Sequence, residues 1–145
     1  MSSIQTFLPF PSFVDSAEVL DNKRLNKQRV ECLQIYNVLT TPPTQRVGWR
    51  NHPAVLMWAG HERSLVHYWQ YIEIECERRG FKRMAVPNLD TVPRTPMPKW
   101  LGDDRFHKSH RLNLMFKDPE YYSPYFNELT PTTKPDYFWP TKEGY

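Results

Sequence analysis

Fourteen prolines divide the 145-residue chain into a few stretches long enough for helices and several that are not. Proline lacks a backbone N–H and its ring clashes with the preceding turn, so helices usually end at or before it. The longest intervals without proline are residues 12–41, 54–86 and 99–118, whereas residues 87–98 contain four prolines. The pattern predicts one principal helix in each of the three intervals and long ordered loops between them.

The first two intervals carry periodic apolar residues. One helix is expected from a cap at Asp15 or Ser16 to about Leu39, and a second from Pro53 to about Arg79. Apolar residues three and four apart give each helix a buried stripe. In the first helix the stripe is Leu25, Cys32, Tyr36 and Leu39, and in the second it is Val55, Trp58, Leu65, Trp69, Ile72 and Cys76.

A third helix is expected from Arg105 to about Lys117, capped by Asp103 or Asp104. Beyond it the chain is rich in aromatic residues and broken by proline. No strand pair is evident. We therefore expect an all-α fold, a compact single domain of residues 1–145 with three principal helices and long Pro- and aromatic-rich loops.

The composition permits some functions and excludes others. A net charge of +3 and an isoelectric point near 8.9 permit a nucleic-acid partner without requiring one. The two cysteines, Cys32 and Cys76, cannot form a disulfide framework and are expected to be small buried hydrophobes. No apolar run is long enough to span a membrane and no signal-peptide pattern is present. We expect a cytoplasmic monomer with no membrane partner.

The residues from Leu20 to Glu31 contain four cations and two carboxylates. At helical spacing one face collects Arg24, Lys27, Gln28 and Glu31. Such a face suits an anionic backbone, so the predicted phosphate contacts are Lys23, Arg24, Lys27 and Arg29. The alternative is a solvated surface laced with salt bridges.

Two further polar clusters are candidates for DNA binding. Trp49, Asn51 and His52 form a polar turn with an aromatic shoulder at a helix start, which could hold an extruded nucleotide or simply cap the helix. His107, His110 and Arg111 lie on one face near the start of the third helix, where phosphate is favoured. The His-x-x-His spacing alone is a weak metal signal, so we expect neither a metal site nor another cofactor.

The carboxylates of the basic segment bear on mechanism. If the substrate is DNA and a glycosidic bond is cleaved, the catalytic carboxylate must reach one carbon of the sugar. Asp21 and Glu31 are ten residues apart, roughly 15 Å along a helix, which is too far for both to reach it. Glu31 is the expected catalytic group because it shares a face with Arg24 and Lys27. Asp21 is expected to pair with Arg24 or Lys23 instead.

These motifs resemble the pyrimidine dimer DNA glycosylase family of bacteria and phages. The resemblance rests on Thr6-Phe7-Leu8-Pro9, Lys27-Gln28-Arg29-Val30-Glu31, Asn51-His52-Pro53-Ala54-Val55, His107-x-Ser109-His110-Arg111 and Tyr137-Phe138-Trp139-Pro140. It implies a helical enzyme that binds double-stranded DNA carrying a damaged pyrimidine. An amine attacks C1′ of the sugar, an imine forms, and β-elimination can nick the strand with help from a Glu on the first helix.

The resemblance implies two positions for the reacting groups. The family nucleophile is the α-amine freed by removal of Met1, here that of Ser2, and Lys27 is the alternative amine. If Arg29-Val30 is taken as the anchor, the family Glu falls at Asn26, so either the carboxylate comes from elsewhere, with Glu31 the candidate, or the activity differs. Two other interpretations stay open: a nucleic-acid-binding module without catalysis, and a phosphodiesterase or nuclease that uses His107 and His110.

Overall fold

Six α-helices and one short 3₁₀ helix make up the regular structure of residues 6–141, the range that the computed structural model describes. No strand occurs in this range, so the predicted all-α class is confirmed. Three helices are much longer than the rest, and these are the three principal helices of the prediction. The helices are α1 (Phe13–Val19), α2 (Asn22–Thr40), α3 (Pro53–Trp58), α4 (Glu62–Arg78), α5 (Asp104–Lys117) and α6 (Pro119–Tyr122), and the 3₁₀ helix is Leu89–Thr91.

The first predicted helix is in fact two helices. Ser12, not Asp15 or Ser16, caps α1, and Leu20 then adopts an extended conformation that ends it. Asp21 caps α2 through its side chain, which accepts a hydrogen bond from the backbone N–H of Arg24. An Asp at this position is a helix-start signal. The single-helix prediction overlooked it because the charged residues on either side continue the helical spacing.

The second predicted helix is also interrupted. Gly60 has a φ of +81°, a left-handed conformation that ends a helix and that glycine adopts without steric cost. The chain therefore turns between α3 and α4 over Ala59–His61. The apolar stripe is nevertheless buried as predicted, since all six of its residues are at most 1% exposed. The third helix is confirmed as α5, with Asp103 as its cap.

The core lies between α2 and α4, with α1 and the aromatic loops packed around them. Aromatic rings contribute much of its volume, and Trp58 contacts Tyr68, Trp100 and Phe7 at centroid distances of 6.5, 5.1 and 5.9 Å. Cys32 and Cys76 are buried and not bonded to each other, as predicted. Within residues 6–141 no helix is both long and apolar enough to cross a bilayer.

The segment before α1 is buried although it is not helical. Phe7 and Leu8 are fully inaccessible to solvent. Leu8 has a φ of +46°, a strained conformation for a branched side chain. Contacts with α5, described below, hold this segment against the first turn of α5 and bring Thr6 beside α2.

Candidate active site

The polar face of α2 lines a small cleft, which we call the α2 cleft. Six residues form its wall: Thr6, Leu20, Arg24, Lys27, Gln28 and Glu31. The sequence prediction that Arg24, Lys27, Gln28 and Glu31 share a face is therefore confirmed. Thr6 comes from the segment before α1, so the cleft is formed where that segment crosses α2.

Gln28 is the organising side chain of the cleft. Its Nε2 donates to the carbonyl of Thr6 at 2.8 Å and to Glu31 Oε1 at 3.1 Å. Its Oε1 accepts a hydrogen bond from the Tyr68 hydroxyl at 2.8 Å. A buried amide with three partners fixes the positions of all of them, because breaking any one leaves a polar group unsatisfied.

Glu31 is the carboxylate of the cleft. Its side chain is held by Gln28 and only 4% of the residue is exposed. Arg24 and Lys27 lie on the same wall. A carboxylate that lies among cations and is largely shielded from solvent can stabilise positive charge that develops on a substrate, or it can accept a proton.

Asn26, the position that the resemblance implies for the family Glu, faces elsewhere. Its Nδ2 donates to the carbonyl of Asn22 at 2.9 Å and its Oδ1 accepts from Arg29 at 3.1 Å. Asn26 therefore supports an internal ion pair and does not line the cleft. This placement favours Glu31 as the carboxylate of the site.

Lys117 is a second amine near the cleft that the sequence analysis did not select. Its Nζ donates to the Tyr137 hydroxyl at 2.8 Å, and that hydroxyl lies 3.3 Å from Thr6 Oγ1. Burial, together with the charges of Arg24 and Lys27, lowers the pKa of Lys117 to about 8. The sequence presents Lys117 only as a cation in the last turn of a helix, a common position with no chemical signal.

Asp21 pairs with Arg24, as predicted, at 3.2 Å. Its carboxylate also accepts a hydrogen bond from the Tyr122 hydroxyl. Burial opposes ionisation of Asp21, but the hydrogen bonds from Tyr122 and Arg24 outweigh it and lower the pKa of the carboxyl group. Tyr122 itself is fully buried, so it cannot stack on a base.

Arg29 does not belong to the DNA-facing group, contrary to prediction. Its guanidinium forms a buried ion pair with Glu73 and also donates to the carbonyl of Lys82 at 2.7 Å. Glu73 is completely buried and also accepts from the indole of Trp69. The pair links α2 to α4, and hydrogen bonds within the fold engage four of the five N–H groups of this buried guanidinium.

His107 and His110 are also interior, which contradicts their predicted contact with DNA. His107 Nδ1 donates to the carbonyl of Leu8 at 2.8 Å, while its Nε2 accepts from the backbone N–H of Gly102 at 2.9 Å. His110 Nδ1 accepts from the backbone N–H of Phe7 at 3.0 Å. Desolvation lowers the pKa of both, that of His110 to about 3, so both are neutral at pH 7.

Arg111 likewise has a structural position. It bonds to Glu128 at 2.7 Å, to the carbonyl of Pro9 at 2.9 Å and to Asp104 at 3.1 Å. These bonds give Arg111 a structural role, and its contact with a phosphate remains a prediction. The three α5 residues instead anchor the segment that carries Thr6.

The turn that precedes α3 lies along an aromatic ridge connected to the cleft. His52 caps α3 by accepting from the N–H of Ala54, and its ring is 5.9 Å from Trp49 and 6.2 Å from Trp139. Trp139 in turn lies 5.5 Å from Tyr137, whose hydroxyl contacts Thr6. Asn51 is exposed beside His52. The turn before α3 is thus connected to the polar face of α2. The histidines of the third predicted cluster, that of α5, are buried, and His110 contacts Trp139.

Lys23 is exposed near the start of α2. Its contact with a phosphate remains a prediction. Ser2 lies outside the described residues. Among residues 6–141, no three His, Cys, Asp or Glu side chains are grouped closely enough to hold a metal ion.

Comparison with known proteins identifies a family. The model of the pyrimidine dimer DNA glycosylase family matches residues 4–86, more than half of the chain. The matched range contains Thr6 and all of α2, and therefore the whole wall of the cleft, but neither Lys117 nor Tyr137. No curated protein and no solved structure matches the chain.

Proposed function

Because the chain belongs to the pyrimidine dimer DNA glycosylase family, we propose that it excises a damaged pyrimidine from double-stranded DNA at the α2 cleft. The observation that carries the proposal is the position of Glu31, buried on the cleft wall between Gln28 and the cations of α2. A carboxylate that is held by a hydrogen bond beside cations keeps its position, and there it can balance positive charge that develops in the cleft.

The reaction begins when a neutral amine attacks C1′ of the damaged nucleotide and the glycosidic bond breaks. Positive charge develops on the sugar in this step, and Glu31 lies where it can balance that charge. The imine that forms makes the C2′ protons acidic. Removal of one of them, with loss of the 3′ phosphate, nicks the strand, which would add abasic-site lyase activity to the glycosylase.

DNA docking follows from the distribution of accessible cations. Lys23, Arg24 and Lys27 present positive charge on one side of α2, and neutralising phosphates with them releases counterions. The half-buried rings of Trp49, His52 and Trp139 form a ridge against which an extruded base would stack. Stacking there can offset part of the few kcal/mol that extruding a nucleotide costs. Asn51 is exposed beside His52, and in this proposal its amide hydrogen-bonds the extruded base.

The alternative of a His-dependent nuclease loses its support. Both ring nitrogens of His107 and the Nδ1 of His110 are engaged with backbone atoms. The alternative of a non-catalytic binding module rested on Asn26, and the position of Glu31 supplies the carboxylate that Asn26 lacks.

A duplex with a single pyrimidine dimer tests the proposal. We expect cleavage of the glycosidic bond at the dimer, detected as an alkali-labile site in the strand. The same sequence without damage should not react. Salt-sensitive binding of both duplexes without any bond cleavage would contradict the enzyme and favour the binding module.

A further inference from the structure

The family match ends before α5, yet α5 contributes a lysine to the surroundings of the cleft. Lys117 is half-buried, and its Nζ lies 2.8 Å from the hydroxyl of Tyr137. That hydroxyl is 3.3 Å from Thr6 Oγ1, and Thr6 is part of the cleft wall. A short chain of hydrogen-bonding groups therefore connects the amine to the wall that carries Glu31.

Charged groups from two parts of the fold act on Lys117. Arg24 and Lys27 face it from α2 and Lys134 from the C-terminal segment, and all three disfavour its protonated form. Glu31 is the acidic group that acts in the opposite direction. Tyr137 lies against the amine, and burial keeps the Tyr137 hydroxyl protonated by raising its pKa to about 12.

This environment favours the neutral form of the amine. Burial and the neighbouring cations lower the pKa of Lys117 to about 8. About a tenth of the molecules then carry a neutral amine at pH 7. For an ordinary lysine, with a pKa near 10.4, the neutral fraction at this pH is below about 0.1%. Desolvation next to other cations is the usual way in which proteins activate a lysine as a nucleophile.

We propose that Lys117 is the amine that forms the imine with the damaged nucleotide, an assignment that rests on the proposed glycosylase function. The lone pair of Nζ attacks C1′, and the base leaves with the electron pair of the glycosidic bond and takes up a proton from solvent. The C1′–O4′ bond then opens, O4′ receives one of the amine protons, and a protonated imine joins Nζ to C1′. Water regenerates the amine, or β-elimination precedes that step.

Borohydride trapping locates the nucleophile directly. The full-length protein is incubated with an abasic-site duplex and with a dimer duplex, the imine is reduced to a stable amine, and the adduct is digested and mapped by mass spectrometry. We expect the deoxyribose remnant on Lys117. A remnant on Lys27 or on the N-terminal amine would overturn the assignment and leave the proposed function intact. No adduct with either duplex would contradict both.

Two matched variants add a kinetic test. Lys117→Arg keeps the positive charge but removes the primary amine, and we expect at least about a hundredfold loss of trapping rate with a dissociation constant for DNA within about threefold of wild type. Lys108→Arg, the same change at an exposed position of α5, should trap like the wild type. Wild-type trapping should rise with pH, reach half of its maximum near pH 8 and level off about one unit higher, where the neutral amine is the main form.

Wild-type trapping rate in a folded Lys117→Arg variant would overturn the assignment. Thermal unfolding of each variant verifies the fold. Adduct mapping uses only the wild-type chain, so its outcome holds even if Lys117→Arg is unstable.

Discussion

The basic residues predicted to contact DNA fall into two groups, which are cations paired with carboxylates inside the fold and cations exposed to solvent. Arg29 and Arg111 are enclosed and bonded to carboxylates, while Lys23 is exposed. The sequence shows all of them as cations next to other polar residues. Only the partner distinguishes them, and for Arg29 the partner is Glu73, 44 residues further along the chain.

The buried pair is expected to matter for stability. Arg29→Met removes one partner and leaves the Glu73 carboxylate enclosed without its cation, so we expect a loss of about 3–5 kcal/mol in the free energy of unfolding. Urea denaturation measures it. Lys23→Met, the same change at an exposed position on the same helix, should stay within about 0.5 kcal/mol of wild type. Equal stability of the two variants would show that the pair is not the link between α2 and α4 described above.

At the scale of elements, α2 was predictable in its chemistry but not in its start. Side chains three and four residues apart must share a face, so Arg24, Lys27, Gln28 and Glu31 could be grouped from sequence alone. The break at Asp21 depends on a cap and on Tyr122, 101 residues away. The break at Gly60 had a local signal, since a glycine in the left-handed region commonly follows a helix end. The apolar stripe masked it because it continues through both α3 and α4.

The exposed side of α2 is expected to set the salt dependence of DNA binding. Removing one cation that binds a phosphate should reduce the slope of log K against log salt concentration by about 0.9. Lys23→Gln should therefore give a shallower slope than the wild type in binding titrations between low and moderate salt. Lys99→Gln changes an exposed lysine outside α2 and is the control, so it should keep the wild-type slope. Identical slopes for all three proteins would exclude Lys23 from the phosphate-binding surface.

At the scale of the whole molecule, the buried histidines join two parts of the chain that are distant in sequence, the segment before α1 and α5. His107 and His110 hold the backbone of Phe7 and Leu8 against α5, and the same segment supplies Thr6 to the cleft. Sequence spacing placed both histidines correctly on one helix face. It could not show that the face is turned inward, because the segment that covers it is about 100 residues distant in the chain.

This arrangement predicts acid sensitivity. The pKa of His110 is about 3 in the folded protein and near its ordinary value of 6.5 in the unfolded chain, so the unfolded chain binds more protons between these limits. Stability should therefore fall as the pH drops from about 6.5 towards 3, with His110 contributing up to about 1.4 kcal/mol per pH unit. His107, whose pKa is also lowered, acts in the same direction.

His110→Gln can still accept a hydrogen bond from Phe7 but does not titrate. Chemical denaturation at a series of pH values should show a smaller acid dependence for this variant than for wild type. If the two proteins lose stability equally over this range, His110 is not the group responsible.

The central claim, that the α2 cleft cleaves a glycosidic bond with the help of Glu31, is tested most directly by one comparison of rates. Single-turnover cleavage of a dimer-containing duplex is measured for Glu31→Gln and for Glu77→Gln, an exposed position on α4. We expect Glu31→Gln to lose at least about a hundredfold in rate while still binding the duplex, and Glu77→Gln to match the wild type. A folded Glu31→Gln variant that cleaves at the wild-type rate would contradict the claim.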